Sequence, residues 1–128
     1  KILNEQQLTE INSRKTGALL VAACQMGVAA AGGSELQMAA AGHYGAALGL
    51  AFQIIDDILD ATGDEATLGK SVGTDEKENK TTFLKFMSEA EAREYAEELT
   101  DNAKAAVSGI AGCDTLLLLA DYLLQRNK

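Results

Sequence analysis

Proline is absent from this chain, and the aromatic and β-branched residues are too scattered to alternate as strands require. Helices are therefore the default, and an all-α fold is predicted. Cysteine is scarce: Cys24 and Cys113 stand too far apart for a disulfide framework or a zinc site. Both are read as buried apolar residues of a reducing, cytoplasmic compartment. The one histidine, His43, lies in an Ala/Gly-rich helix and is read as a satisfied core residue; neither it nor Tyr44 is given a chemical role. No uninterrupted apolar run reaches the roughly 20 residues of a membrane span, and no signal peptide is seen. Residues 18–33 come nearest, and Gln25 and the glycines break that run. Positive charge is in deficit, 11 Lys and Arg against 19 Asp and Glu, and the net charge of -8 argues against a nucleic-acid partner.

What is present is enough apolar material, 47% of 128 residues, for the core of one domain. Lys1 opens directly into helical sequence without a methionine, a cap or a leader, so the chain is read as cut from something longer. A first helix is predicted over about 4–31, with Leu8, Ile11, Leu19, Ala22 and Ala23 inward and Gly32-Gly33 as its end. Ser34-Glu35-Leu36-Gln37 is a capping box that opens a central helix ending near Thr62, with Gly63 as its stop. Gly42, Gly45 and Gly49 each weaken that helix by about 1 kcal/mol against alanine, for which close approach of a neighbouring helix is the expected return. Periodicity is lost over 63–81, a loop of functional length, and a short apolar turn follows over 82–87. Ser88-Glu89-Ala90-Glu91 is a second capping box, opening a helix whose Ala92, Tyr95, Ala96, Leu99, Ala103 and Val107 recur at helical spacing until Gly109. Asp114 is read as the cap of a last helix that runs through Tyr122 and Leu123 to the basic end Arg126-Asn127-Lys128.

One segment puts charge where a core should be. In Phe52-Gln53-Ile54-Ile55-Asp56-Asp57-Ile58-Leu59-Asp60, helical geometry confines Gln53, Asp56, Asp57 and Asp60 to an arc of about 100°. Leu48, Phe52, Ile55 and Leu59 share the opposite side. A solvated acidic helix end would leave the apolar residues on every other side unexplained. The strip is instead expected to face an internal cavity and to need a cation. Asp56 and Asp60, like charges at i,i+4, weaken the helix by about 0.2–0.5 kcal/mol, and a stop at Gly63 would add an unfavourable macrodipole. An all-oxygen donor set without Cys or His favours Mg²⁺ over zinc, and Mg²⁺ needs few carboxylates where phosphates complete its shell. The spacing of an EF-hand is absent.

Two further clusters could meet this strip. Gly69-Lys70-Ser71-Val72-Gly73-Thr74-Asp75, extended to Lys80, offers ammonium groups beside glycines directly after the acidic helix. Arg14-Lys15-Thr16-Gly17 sets cationic and hydroxyl groups ahead of apolar helical turns. Each lysine taken alone reads as a solvated surface residue; their conjunction with the acidic strip is the signal.

Together these segments resemble the C-terminal half of the trans-isoprenyl diphosphate synthases. Phe52 to Asp60 resembles that family's second aspartate-rich motif, F-Q-x-x-D-D-x-x-D. Gly63-Asp64 and Leu68-Gly69-Lys70-x-x-Gly73-x-Asp75 resemble its continuation, and Lys15-Thr16-Gly17 its K-T-G. The likeness covers essentially the whole chain, most specifically 47–80, and is greatest to bacterial short-chain, farnesyl-type members. It implies the C-terminal portion of the isoprenoid synthase helical bundle around a deep central cavity, a homodimer, and Mg²⁺-dependent transfer of a prenyl group from an allylic diphosphate to isopentenyl diphosphate. By position, it makes Asp56 the main Mg²⁺ ligand, with Asp57 and Asp60 acting mostly through metal-bound water. Lys15 and Lys70 would hold the allylic diphosphate, with Lys80 a further candidate. Thr16, Gln53 and the Lys15 carbonyl would face the carbocation, and Arg126 and Lys128 would serve the second diphosphate.

The family's first aspartate-rich motif, its basic isopentenyl diphosphate site and its chain-length determinants have no counterpart here. Half an active site is therefore expected, inactive alone, with Leu19, Leu48, Phe52 and Ile55 left facing water and driving self-association. The rival readings are a catalytically silent subunit of a heteromeric prenyl synthase, which has no need of the charged strip, and a terpene cyclase relative, which would lack the G-K-x-x-G-x-D continuation.

Overall fold

The structure is a computed structural model that describes residues 3–67 and 81–126, and the side chains of these except 64–67. The regular elements among the described residues are all helices, with no strand. Helix α1 spans Glu5–Asn12, a π-helical turn occupies Ser13–Gly17, and α2 spans Ala18–Ala30. Helix α3 runs over Glu35–Thr67, a single 3-10 turn forms at Phe83–Lys85, and α4 (Glu89–Val107) and α5 (Asp114–Gln125) complete the order. Helix α3 is the axis, with α2 against one side and α4 against the other.

The first helical stretch departs from expectation in two ways. It has a cap: the Asn4 side chain accepts from the Gln7 amide at 2.7 Å, and the Asn4 amide donates to Gln7 Oε1 at 3.0 Å. It is also interrupted, because the Ala18 amide reaches back five residues to the Ser13 carbonyl. One extra residue in a turn rotates everything beyond it relative to the turns before. Leu8, Asn12 and Gly17 are buried, whereas Ile11 faces out ahead of that turn and Ala22 and Ala23 face out beyond it; Leu19, 70% exposed, meets water as expected of a face without its partner helices.

Helix α3 begins at the capping box as expected: the Ser34 amide donates to Gln37 Oε1 at 2.8 Å and the Gln37 amide to Ser34 Oγ at 3.1 Å. It does not stop at Gly63 but continues to Thr67. The macrodipole falls off within the last turn, so its cost to Asp56 does not apply. Length and composition would let the segment Glu35–Gly63 cross a membrane, a nearer approach than 18–33. From Tyr44 to Ile58 its buried apolar residues pack against protein partners, whereas Leu36 is 83% exposed. Leu8, Ile54, Ile55, Ile58, Phe83, Ala92 and Ala96 form one core; Tyr44, Leu48, Ala103, Val107, Cys113 and Ala120 form a second. Leu48 and Ile55, expected to meet water, are 3% and 1% exposed, because α4 and α5 cover them.

The glycines behave as predicted. A Cβ on Gly45 would stand 2.9 Å from Val21 Cα, one on Gly49 would stand 3.0 Å from Gly17 Cα, and one on Gly42 would press on the Gln25 side chain. The α2 backbone thus lies directly on this face of α3.

At the other end of the chain, the Ser88–Glu91 capping box forms, with the Ser88 amide donating to Glu91 at 2.8 Å. Asp114 is the first residue of α5, not its cap; Cys113 holds that position without a side-chain capping bond. Cys113 is buried and Cys24 half-buried, both free thiols. His43 is exposed, so it is not a core residue, while Tyr44 is 1% exposed and donates to the Leu116 carbonyl at 2.7 Å. Burial, with a smaller contribution from Cys24, pushes its phenol up to about 12.

Candidate active site

The glycine face of α3 sets up the site. Gly45, Gly49 and Gln53 follow one another at four-residue spacing and share one side of the helix. Gly45 lies on Leu20 and Val21, and Gly49 on Gly17. One turn further, Gln53 meets Thr16, whose Oγ1 donates to Gln53 Oε1 at 3.4 Å. Two residues 37 apart in sequence are therefore joined because the backbones touch just before them. Both side chains are half-buried, while the neighbouring Lys15 is exposed on the π-helical turn. Such turns often occur at functional positions, and this one was not foreseen.

The four polar residues of the strip do not act alike. Asp57 lies at one edge of the arc, is 4% exposed, and accepts from the Phe83 amide at 2.9 Å through Oδ2. It ties α3 to the 3-10 turn that follows the undescribed residues. Asp56 is half-buried and pairs through Oδ1 with Nη2 of Arg126. That same nitrogen donates to the Phe52 carbonyl at 3.3 Å, and the guanidinium lies 4.3 Å from the centre of the Phe52 ring. Asp60, one turn on from Asp56, is exposed. The strip was expected to need a cation, and Arg126 supplies one from the end of α5. No signal in the sequence linked Arg126 to Phe52 and Asp56, 74 and 70 residues earlier. The Asp57 to Phe83 bond was equally illegible.

Lys70 and Lys80, the expected diphosphate ligands, lie outside the described residues, as does Lys128. A cavity of about 590 Å³ opens elsewhere, among Cys24, Val28, Gln37, Tyr44, Val107 and Leu116. It belongs to the opposite half of α3, and none of the candidate site residues lines it.

No group of three or more His, Cys, Asp or Glu among the described residues is placed to enclose a metal ion. An open site suits Mg²⁺ nonetheless, since this ion usually takes one or two carboxylates and completes its shell with water and phosphate oxygens. Asp56 and Asp60, a turn apart on one face, are the residues that could offer that donor set. Asp57, turned to Phe83, is better placed to fix the helix than to meet the ion directly.

The sequence is 41% identical to farnesyl diphosphate synthase of Escherichia coli (strain K12), over 94% of this chain and 42% of that protein. It is 40% identical to geranylgeranyl diphosphate synthase of Cyanophora paradoxa, over 95% of this chain and 41% of that protein. With farnesyl diphosphate synthase of Haemophilus influenzae the identity is 35%, over 99% and 44%. The chain spans about two fifths of the length of these relatives. The polyprenyl synthetase family profile matches residues 1–114, which include Lys15-Thr16-Gly17 and the whole aspartate-rich segment, and the chain belongs to that family.

Proposed function

We propose that this chain supplies the diphosphate-departure half of a prenyltransferase site, in which an allylic diphosphate is condensed with isopentenyl diphosphate to a farnesyl-type product. The observation that carries this reading is the meeting of Thr16 with Gln53 one turn before Asp56, which brings two widely separated segments to one place. Relatives named for farnesyl and geranylgeranyl diphosphate synthesis support the reaction class.

In this reading Asp56 and Asp60 hold Mg²⁺ and Asp57 keeps their helix turn in register. Bound there, Mg²⁺ would neutralise charge gathering on a departing diphosphate. Lys15, on the exposed π-helical turn, and Lys70 and Lys80 would take up phosphate oxygens as compact charges. The Thr16 hydroxyl and Gln53 carbonyl present oxygen dipoles beside an apolar wall, where they are worth more to a developing carbocation than they would be in water. The hydrogen bond between them fixes both orientations beforehand. Residues 1–128 would act as the C-terminal part of a longer catalytic domain, in a cytoplasmic homodimer, and would not turn over alone.

Steady-state rates of the complete enzyme carrying these residues test the assignment. At saturating Mg²⁺, Asp56→Ala should lose about 100-fold or more in kcat and Asp60→Ala distinctly less. Equal rates close to wild type for both would refute it.

A further inference from the structure

Arg126 leaves the end of α5 in extended backbone, φ -64° and ψ 154°, and turns back onto α3. There its side chain, 12% exposed, meets three groups on one helical turn: the Asp56 carboxylate, the Phe52 carbonyl and the Phe52 ring face. A planar guanidinium satisfying a carboxylate and a carbonyl while lying on an aromatic face is held in place, not merely attracted. Lys104, whose pair with Asp121 joins α4 to α5 at 2.9 Å, makes a simpler contact: one ammonium against one half-exposed carboxylate.

We propose that Arg126 is the resident counter-cation of Asp56 and competes with the divalent cation for that carboxylate, so that metal loading releases the end of α5 from the Phe52 turn. The inference rests on the reading that Asp56 receives the metal. Its thermodynamic content is reciprocal. Whatever Arg126 gains by holding Asp56 is subtracted from the affinity for metal, and metal binding weakens the hold of Arg126 by the same factor. The pairing also explains how an acidic strip on an otherwise apolar helix is accommodated without an ion: two partly buried opposite charges offset each other's desolvation, where either alone would be costly.

Mn²⁺, an octahedral oxygen-seeking stand-in for Mg²⁺, can be titrated into the 128-residue chain and its free-ion electron paramagnetic resonance signal followed. Arg126→Gln should bind Mn²⁺ about three- to tenfold more tightly than wild type, the size of effect a half-buried charged hydrogen bond commands. Lys104→Gln removes the same charge elsewhere and should leave affinity within about twofold, as distant surface charges do. Asp56→Asn should weaken binding. Three outcomes overturn parts of this picture, and they are distinguishable. Arg126→Gln behaving like Lys104→Gln, or like wild type, overturns the competition and leaves the metal reading standing. Asp56→Asn binding as wild type, or no binding by any form, overturns the metal reading and the competition with it. Should Arg126→Gln fail to fold by circular dichroism, the unmodified chain still decides. On Mg²⁺ titration the Arg126 Nε–H resonance should shift as the pair opens, and a resonance unmoved through saturation overturns the proposal.

Discussion

Gly45 and Asp57 are both buried on α3, twelve positions apart, and neither is there for the sake of the helix. Gly45 is needed because no side chain fits between it and the backbone of Leu20 and Val21. Asp57 is needed because a side chain must reach out of the helix to the Phe83 amide. One half of α3 brings a neighbour close by removing atoms, and the other half fixes a neighbour at a distance by adding a charged acceptor. The contact made possible in the first half ends at Gln53 and Thr16, and the anchor in the second lies beside Asp56. The site thus sits where the two modes of packing meet.

Breaking the close-packed half should have the largest effect. Gly45→Val places a Cβ 2.9 Å from Val21 Cα and 3.0 Å from the Leu20 backbone, and backbone cannot swing aside. Overpacking of this kind destabilises by about 1–3 kcal/mol, sometimes more, and should appear as a fall in the urea midpoint of the chain. The Thr16 to Gln53 contact should be lost with it, since that contact depends on helix separation. Next comes the anchored half. Asp57→Ala leaves the Phe83 amide buried without its acceptor, a loss of about 1–3 kcal/mol. Asp56→Ala removes a carboxylate that is 33% exposed and leaves the long Arg126 side chain, just past the end of α5, able to turn its charge to solvent, so the loss should be smaller in the same urea titration. If the two aspartates proved equal in stability, the division of the strip into an anchor and a ligand would fail.

A smaller effect of opposite sign sharpens the contrast. Gly63 lies inside α3, yet a Cβ there would meet nothing within 4 Å among the described residues. Gly63→Ala should therefore stabilise the chain by about 0.5–1 kcal/mol, through helix propensity and a less flexible unfolded state, read again from the urea midpoint. Two glycines of one helix would then respond oppositely to the addition of side-chain carbon, decided only by what lies opposite.

Gly63 also shows where the sequence misleads. A glycine after a helical run is a common stop, but it ends a helix only when the backbone adopts positive φ, as Gly32 does at 73°. At Gly63 it does not, and α3 runs on. The legible features were local or periodic: helical class, the capping boxes at Ser34 and Ser88, the close-packed glycines, and the acidic strip with its apolar surroundings. What stayed hidden depends on register or on distant partners. The π-helical turn at Ser13–Gly17 rotates α2, with Ala22 and Ala23 exposed beyond it, and no single residue announces it. The pairs of Asp57 with Phe83 and of Asp56 with Arg126 join segments 26 and 70 residues apart, beyond any helical period. The acidic strip could be drawn on a helical wheel, whereas its division between an anchor and a paired carboxylate could not.

The smallest effect concerns helix starts. The boxes at Asn4 and Ser34 close with Gln7 and Gln37, whereas the box at Ser88 closes with Glu91. The bond Glu91 accepts from the Ser88 amide, and secondarily the bond with the Ser88 hydroxyl, hold its carboxyl below the ordinary value of 4.5, with desolvation opposing slightly. Between the lowered and the ordinary value the unfolded chain binds more protons than the folded one, so stability from this site is full above the ordinary value and is lost as pH falls through the lowered one. The bond from the Ser88 amide needs only an oxygen, which glutamine also has. Glu91→Gln should therefore leave α4 capped, keep the urea midpoint near that of wild type at about pH 7, and flatten the decline that wild type shows on acidification to about pH 3. An acid decline unchanged by Glu91→Gln would assign it to other carboxylates of the chain.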